Sequence, residues 1–275
     1  MIWNDFVMWN DLPKVSSINK LYSEYAATEP FFACLDNGQE VVVKYINNCE
    51  GNLVLINEYI SYCIAKAMCV PTPDFGICLL DSSVNVACDF NLTTANYGPA
   101  FYTVFVKKTM PLLASGFISL PKNIESFINI LLFDHIIYNK DRHPGNFLYS
   151  QDGELFAIDH SHVFKNQCIW DRFAFSQGMT NNDYLDKEIL EFNQETYSIL
   201  FEKLRLKRDS FNNISNLVKT NLTEEYIRSI FEKLPSCWTN DIPTEDLTHL
   251  EKYINYRISH IDDIVNMICE ERGII

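Results

Sequence analysis

Asp134-His135-Ile136-Ile137-Tyr138-Asn139-Lys140-Asp141-Arg142-His143-Pro144-Gly145-Asn146, followed by Ile158-Asp159-His160, decides how this chain is read. Asp141 stands five positions before Asn146, and Asp159 follows Asn146 after thirteen. Between them runs a hairpin pattern: Phe147–Tyr149, the turn Gln151-Asp152-Gly153-Glu154, then Leu155–Ile158. A short hairpin returns the chain to the end it left, so Asn146 and Asp159 are expected close together. Upstream, Lys122 to Tyr138 is apolar almost all round, which predicts a buried helix. Asp, Pro, Gly and Asn each favour turns by themselves. A plain surface turn, however, explains neither the buried helix leading into it nor the carboxylate that closes the next hairpin.

Toward the N-terminus, Phe31–Leu35 and Val41–Ile46 flank Asp36-Asn37-Gly38-Gln39, a hairpin signal because Asn and Gly accept the positive φ of a tight turn. Lys44 ends the apolar run Val41-Val42-Val43. A helix is predicted from about Glu50 to Met68, with Leu53, Ile56, Ile60, Cys63, Ile64 and Ala67 recurring at steps of three and four. Pro71 and Pro73 stop it. Strands are expected at Phe75–Leu80 and Phe101–Val106. Beyond Asp159 the chain reads as mainly helical. Thr223 and Thr244 precede acidic first turns, and Leu247, Leu250, Ile254, Ile258, Ile261, Val265 and Ile268 form the stripe of one last helix. The expected architecture is α+β, with a strand-rich first lobe over 1–110 and a helical second lobe over 111–275.

The 275 residues carry 22 Lys and Arg against 36 Asp and Glu, a net charge of −14. Such a surface repels nucleic acid and anionic membranes, so neither is an expected partner. The hydrophobic fraction is 47% and the charged fraction 21%, ordinary for a globular domain. Nine cysteines occur without a C-x-x-C pair, and no Cys/His cluster has zinc-ligand spacing. The start of the sequence has no signal-peptide pattern. Reduced, mostly buried thiols in a cytoplasmic protein are the expectation.

Phosphoryl transfer needs an acceptor hydroxyl held in line with the γ-phosphate, a carboxylate to orient it and take its proton, and hard oxygen ligands for Mg²⁺. Asp141, Asn146 and Asp159 follow the order and spacing of a kinase catalytic loop and its second metal-binding Asp. Lys44, projecting inward from its strand, would neutralise the α/β-phosphates. Glu58, fourteen residues on, would hold it, with Glu50 as the competing partner.

At Val41–Lys44, Gly98-Pro99-Ala100-Phe101, Asp134 to Asn146 and Ile158–Phe164 the sequence resembles the HipA-like kinases of the protein-kinase-like superfamily. Its Asp-Arg-His motif is also similar to that of the phosphatidylinositol 3-/4-kinases. The resemblance implies a bilobal kinase-like fold and use of Mg·ATP. It implies Asp141 as catalytic base, Asn146 and Asp159 as Mg²⁺ ligands, and Lys44 as phosphate contact. It places His143 and His160 within the motifs as structural groups. It further implies a serine/threonine protein substrate and a possible regulator or antitoxin protein as partners.

The sequence departs from the wider kinase pattern in three places. No glycine precedes Gly38, so Tyr22 to Thr28, where a phosphate-covering loop is expected, lacks the usual glycines. Its neighbourhood offers Ser16, Ser17, Ser23 and Thr28 as hydroxyls for self-phosphorylation. Asp74-Phe75-Gly76 spells the kinase metal tripeptide but comes before the catalytic loop, and is expected to open a strand instead. The alternatives to a protein kinase are a lipid or small-molecule kinase, and a catalytically weak nucleotide-binding module.

Overall fold

The computed structural model describes residues 11–22, 28–87, 92–112, 121–202 and 204–275. Two compact units emerge, neither a single stretch of sequence. The first takes the described residues up to Tyr59, then Pro73–Val106 and Lys233–Pro243; the second takes Ile60–Thr72, Lys107–Glu232 and Thr244–Ile275.

The first unit is built on strands β1 (Val15–Leu21), β2 (Phe31–Leu35) and β3 (Glu40–Lys44), the start of helix α1 (Leu53–Ala67), and strands β4 (Phe75–Leu80), β5 (Asn85–Val86) and β6 (Gly98–Val104). The described strands form one sheet in the order β4-β6-β3-β2-β1-β5. The β2–β3 turn is the expected one: Gly38 sits at φ +82, and Asn37 Oδ1 accepts the Gln39 N–H at 2.9 Å. Side chains alternate between the faces of a strand. Phe31, Ala33 and Leu35 on β2 therefore join Val41 and Val43 on β3 in one apolar core. Lys44, the next residue, falls on the opposite face.

Helix α1 begins at Leu53 rather than near Glu50, because Gly51 at φ +81 breaks the helical path. It stops when Cys69 turns left-handed at φ +55, two residues before Pro71. Lys233–Pro243 reaches this unit from late in the chain. There Trp238, 1% exposed, donates its indole N–H to Pro99 O at 2.8 Å.

In the second unit β7 (Thr109–Pro111) precedes helix α2 (Phe127–Ile136), which leads to β8 (Phe147–Ser150) and β9 (Leu155–Ala157). The strands pair in the order β7-β8-β9. Every residue of α2 is buried, as its all-round apolar sequence requires. The predicted start at Lys122 is too early, because Ile124–Ser126 forms a 3₁₀ turn before α2. Helices α3 (Arg172–Thr180), α4 (Glu188–Phe192), α5 (Gln194–Phe201), α6 (Arg208–Asn221) and α7 (Glu224–Phe231) follow, and Thr223 caps α7 by accepting the Tyr226 N–H at 3.2 Å.

The last apolar stripe belongs to two helices, α8 (Thr244–Ser259) and α9 (Ile261–Arg272), not one. Between them His260 stacks flat on Tyr184, ring centroids 3.9 Å apart. Ile258 and Ile261 keep the i,i+3 step across the break, so the periodicity gives no sign of it. Arg257 and Asp183 form a fully buried ion pair at 2.8 Å in this unit. The thiols are less buried than expected: only Cys78 and Cys269 of those described are fully inside, while Cys49 and Cys69 are exposed. Cys88 lies outside the described residues. No helix among the described residues is long and apolar enough to cross a membrane.

Candidate active site

The loop from Asn139 to Asn146 leaves the buried end of α2 through Tyr138, whose backbone sits at φ +50. A bulky residue holds such a conformation only when its surroundings fix it. Here Lys165 Nζ donates to the Tyr138 hydroxyl at 2.5 Å, that hydroxyl reaches Asp186 Oδ2 at 3.0 Å, and Asn139 N–H returns to Asp134 O at 2.7 Å.

Arg142 is the centre of the loop. It and Asp134 are both 0% exposed; Nη2 lies 2.8 Å from Asp134 Oδ1 and Nε 3.0 Å from Oδ2. This two-point pairing suits a planar guanidinium. Burial alone opposes the charge on Arg142, but the Asp134 carboxylate outweighs it and leaves the guanidinium pKa raised. The remaining donor, Nη1, goes to two carbonyls: Asn146 O at 3.1 Å and Ile158 O at 2.9 Å. Ile158 N–H also donates to Asn146 O at 3.0 Å. One buried cation thus ties Asn146 to the residue before Asp159, and the hairpin brings these two ends together as its spacing predicts.

Asn146 is 4% exposed. Its amide nitrogen donates to Asp141 O at 2.7 Å and lies 3.5 Å from Asp141 Oδ2. With the nitrogen so engaged, the amide oxygen is the atom a cation would use. Asp159 adopts the left-handed conformation at φ +55, which Asp tolerates better than most residues, and accepts a hydrogen bond from Ser161 Oγ at 2.5 Å.

The side chain of Asp141 is 39% exposed, open enough to meet a substrate, and its amide donates to Asn139 Oδ1 at 2.9 Å. Burial raises its pKa first and the Asp159 carboxylate adds to the rise, while His143, His162 and Arg142 work against it; the balance is a raised value. His143 Nδ1 accepts the Gly145 N–H at 3.1 Å. A Cβ at position 145 would lie 2.8 Å from the His143 ring, so a larger residue there would have to displace that ring. His160 is fully buried and packs edge-on against Tyr62 and Phe133.

Lys44 and Glu58 meet in the first unit, Nζ against Oε1, with 8% and 1% of each residue exposed. The carboxylate that meets Lys44 is therefore Glu58 on α1, not the alternative Glu50. Gly76 of the misplaced Asp-Phe-Gly packs under the Tyr102 ring, where a Cβ would come within 2.8 Å. Its place in β4 opposite Tyr102 explains that glycine through packing.

Residues 23–27 of the expected phosphate-covering loop, Ser23 among them, lie outside the described residues. Of the other hydroxyls, Ser16 Oγ donates to Cys34 O at 3.0 Å within the sheet, and Thr28 is 3% exposed. Two site residues gave no sequence signal. Asn193 and Tyr197, 47 and 51 positions past Asn146, reach the loop from α5 and the turn before it: Asn193 bonds loop backbone, and Tyr197 OH donates to Asp134 Oδ2 at 2.9 Å. Nothing in the local pattern of 188–201 marks them.

No curated protein matches the sequence. Among solved structures, the proinflammatory kinase CtkA of Helicobacter pylori superposes with a TM-score of 0.59 at 14% identity, covering 95% of this chain and 99% of that one. At that identity the likeness shows the protein-kinase-like fold. The Golgi casein kinase aligns over 98% of this chain and 77% of its own, at 12% identity and a TM-score of 0.48. The model of the HipA-like kinases matches residues 15–271, and the chain belongs to that family.

Proposed function

We propose that this kinase transfers the γ-phosphoryl group of Mg·ATP to a serine or threonine hydroxyl of a protein. The observation that carries the reading is the Arg142 junction, which holds Asn146 and the Asp159 turn together beside a partly open Asp141. Asp141 is the base: burial raises its pKa, which makes the carboxylate a stronger proton acceptor. It orients the acceptor hydroxyl and takes its proton.

The donor set suits Mg²⁺. Asp159 offers a carboxylate and Asn146 an amide oxygen, both hard ligands, and the nucleotide's phosphates would complete the shell. When bound, Mg²⁺ supplies charge neutralisation at the phosphates. Lys44 is the phosphate contact, and Glu58 holds its ammonium in place. A protein acceptor is favoured over a lipid headgroup because a net charge of −14 opposes an anionic bilayer. We put the enzyme's work in the cytoplasm, the setting expected for reduced thiols, and the net charge opposes membranes and nucleic acid as partners.

The test is incubation of the purified chain with Mg·ATP and, in turn, generic protein substrates, lipid vesicles and buffer alone. Phosphoserine or phosphothreonine on protein, absent with Asp141→Asn, supports the reading. Transfer only to lipid replaces the acceptor class, and nucleotide binding without turnover leaves a binding module.

A further inference from the structure

Asn193 lies between α4 and α5, 2% exposed, fifty-one positions beyond Arg142. Its two amide atoms do different work on one loop. Oδ1 accepts the backbone N–H of Arg142 at 2.8 Å, and Nδ2 donates to the backbone carbonyl of Asn139, also at 2.8 Å. Donor faces acceptor at both ends, so the side-chain amide has a single orientation that satisfies both. The two peptide groups lie on either side of Asp141, in a loop without a ladder partner for them. Tyr197, one turn along α5, stands 3.3 Å from Nδ2 and donates to the Asp134 carboxylate that holds Arg142. Asn193 is thereby locked from behind.

We infer that Asn193 is a positioning residue that clamps the catalytic-loop backbone on both sides of Asp141 and so sets where that carboxylate meets the acceptor. The inference rests on the reading of Asp141 as the base. Small displacements of a reacting group cost rate steeply, because only near-aligned geometries react. The hydrogen bonds of the Asn193 side chain go to Arg142 N–H, Asn139 O and Tyr197 OH, and none to Lys44, Asn146 or Asp159, so its removal is expected to act on kcat and to leave ATP binding alone.

Amide exchange and kinetics together test this on the full chain. In the wild type, the Arg142 N–H is expected to exchange far more slowly than an open loop amide. Asn193→Ala is expected to accelerate exchange at Arg142 and to lower kcat by about 10- to 100-fold, with KM for ATP unchanged and activity normalised to the folded fraction. Tyr197→Phe removes the outer hydroxyl only and keeps the Arg142 amide protected. A wild-type Arg142 amide that exchanges freely overturns the clamp even if Asn193→Ala does not fold. Lost protection with an unchanged kcat also overturns it. If wild type transfers no phosphate while the exchange pattern holds, the clamp stands and the phosphotransfer reading falls.

Discussion

Replacing Arg142 by Met keeps much of the side-chain volume and deletes the cation. Breaking a fully buried ion pair from one side costs about 3–5 kcal/mol, chiefly from the carboxylate left behind. The structure places the loss near the low end of that range. Asp134 would still accept from Asn139 Nδ2 at 2.8 Å and from Tyr197 OH at 2.9 Å, which soften its isolation. Two carbonyls lose the guanidinium. Asn146 O keeps the Ile158 N–H at 3.0 Å, so that loss is partly covered, whereas Ile158 O forfeits its bond to Nη1 for roughly 1 kcal/mol more. The expected destabilisation is about 4 kcal/mol, a large share of the ~5–15 kcal/mol of a typical domain. Urea denaturation followed by circular dichroism measures it. Adding Asp134→Asn to Arg142→Met should recover about half, since the orphaned charge is then gone. A single variant within 1 kcal/mol of wild type, or a double variant additive with the singles, refutes the account of this junction.

Asp141→Asn should abolish transfer and keep ATP affinity near normal, checked by turnover and calorimetry. Because Asp141 has a raised folded pKa, its favourable contribution is present below the unfolded value and is lost as pH rises through the folded one. Asp141→Asn should therefore melt with wild type at acid pH and at or above it near neutrality; a lower melting point at pH 7 contradicts the assignment. Asp159→Ala should remove the Mg²⁺-dependent part of nucleotide binding, and unchanged Mg·ATP affinity would take Asp159 out of the ligand set. Lys44→Met should weaken ATP binding and also lower the apo melting point, because the Glu58 carboxylate, 1% exposed, loses the ammonium it meets. Adding Glu58→Leu should restore the melting point and not the affinity; recovery of both would make the pair structural.

The sequence alone determined the parts that depend on local chain geometry. Five positions from Asp141 to Asn146 and thirteen to Asp159, across a Gly-bearing hairpin, can fold back in few ways, so their meeting was legible. The Asp36–Gln39 turn marked the β2–β3 hairpin, and the apolar run around α2 announced burial. The tertiary structure decided what depends on side chains arriving from elsewhere. It chose Glu58 for Lys44 and split the last helix at His260 without disturbing its periodicity. It also brought Trp238 to Pro99. Above all it closed the polar shell beneath the loop, where Asp134, Arg142, Asn193 and Tyr197 satisfy one another. An Asn in a turn and a Tyr on the helix after it carry no periodic mark. Their positions are fixed by the cost of leaving a buried charge, a peptide N–H and a carbonyl without partners, and that cost exists only once the chain has packed.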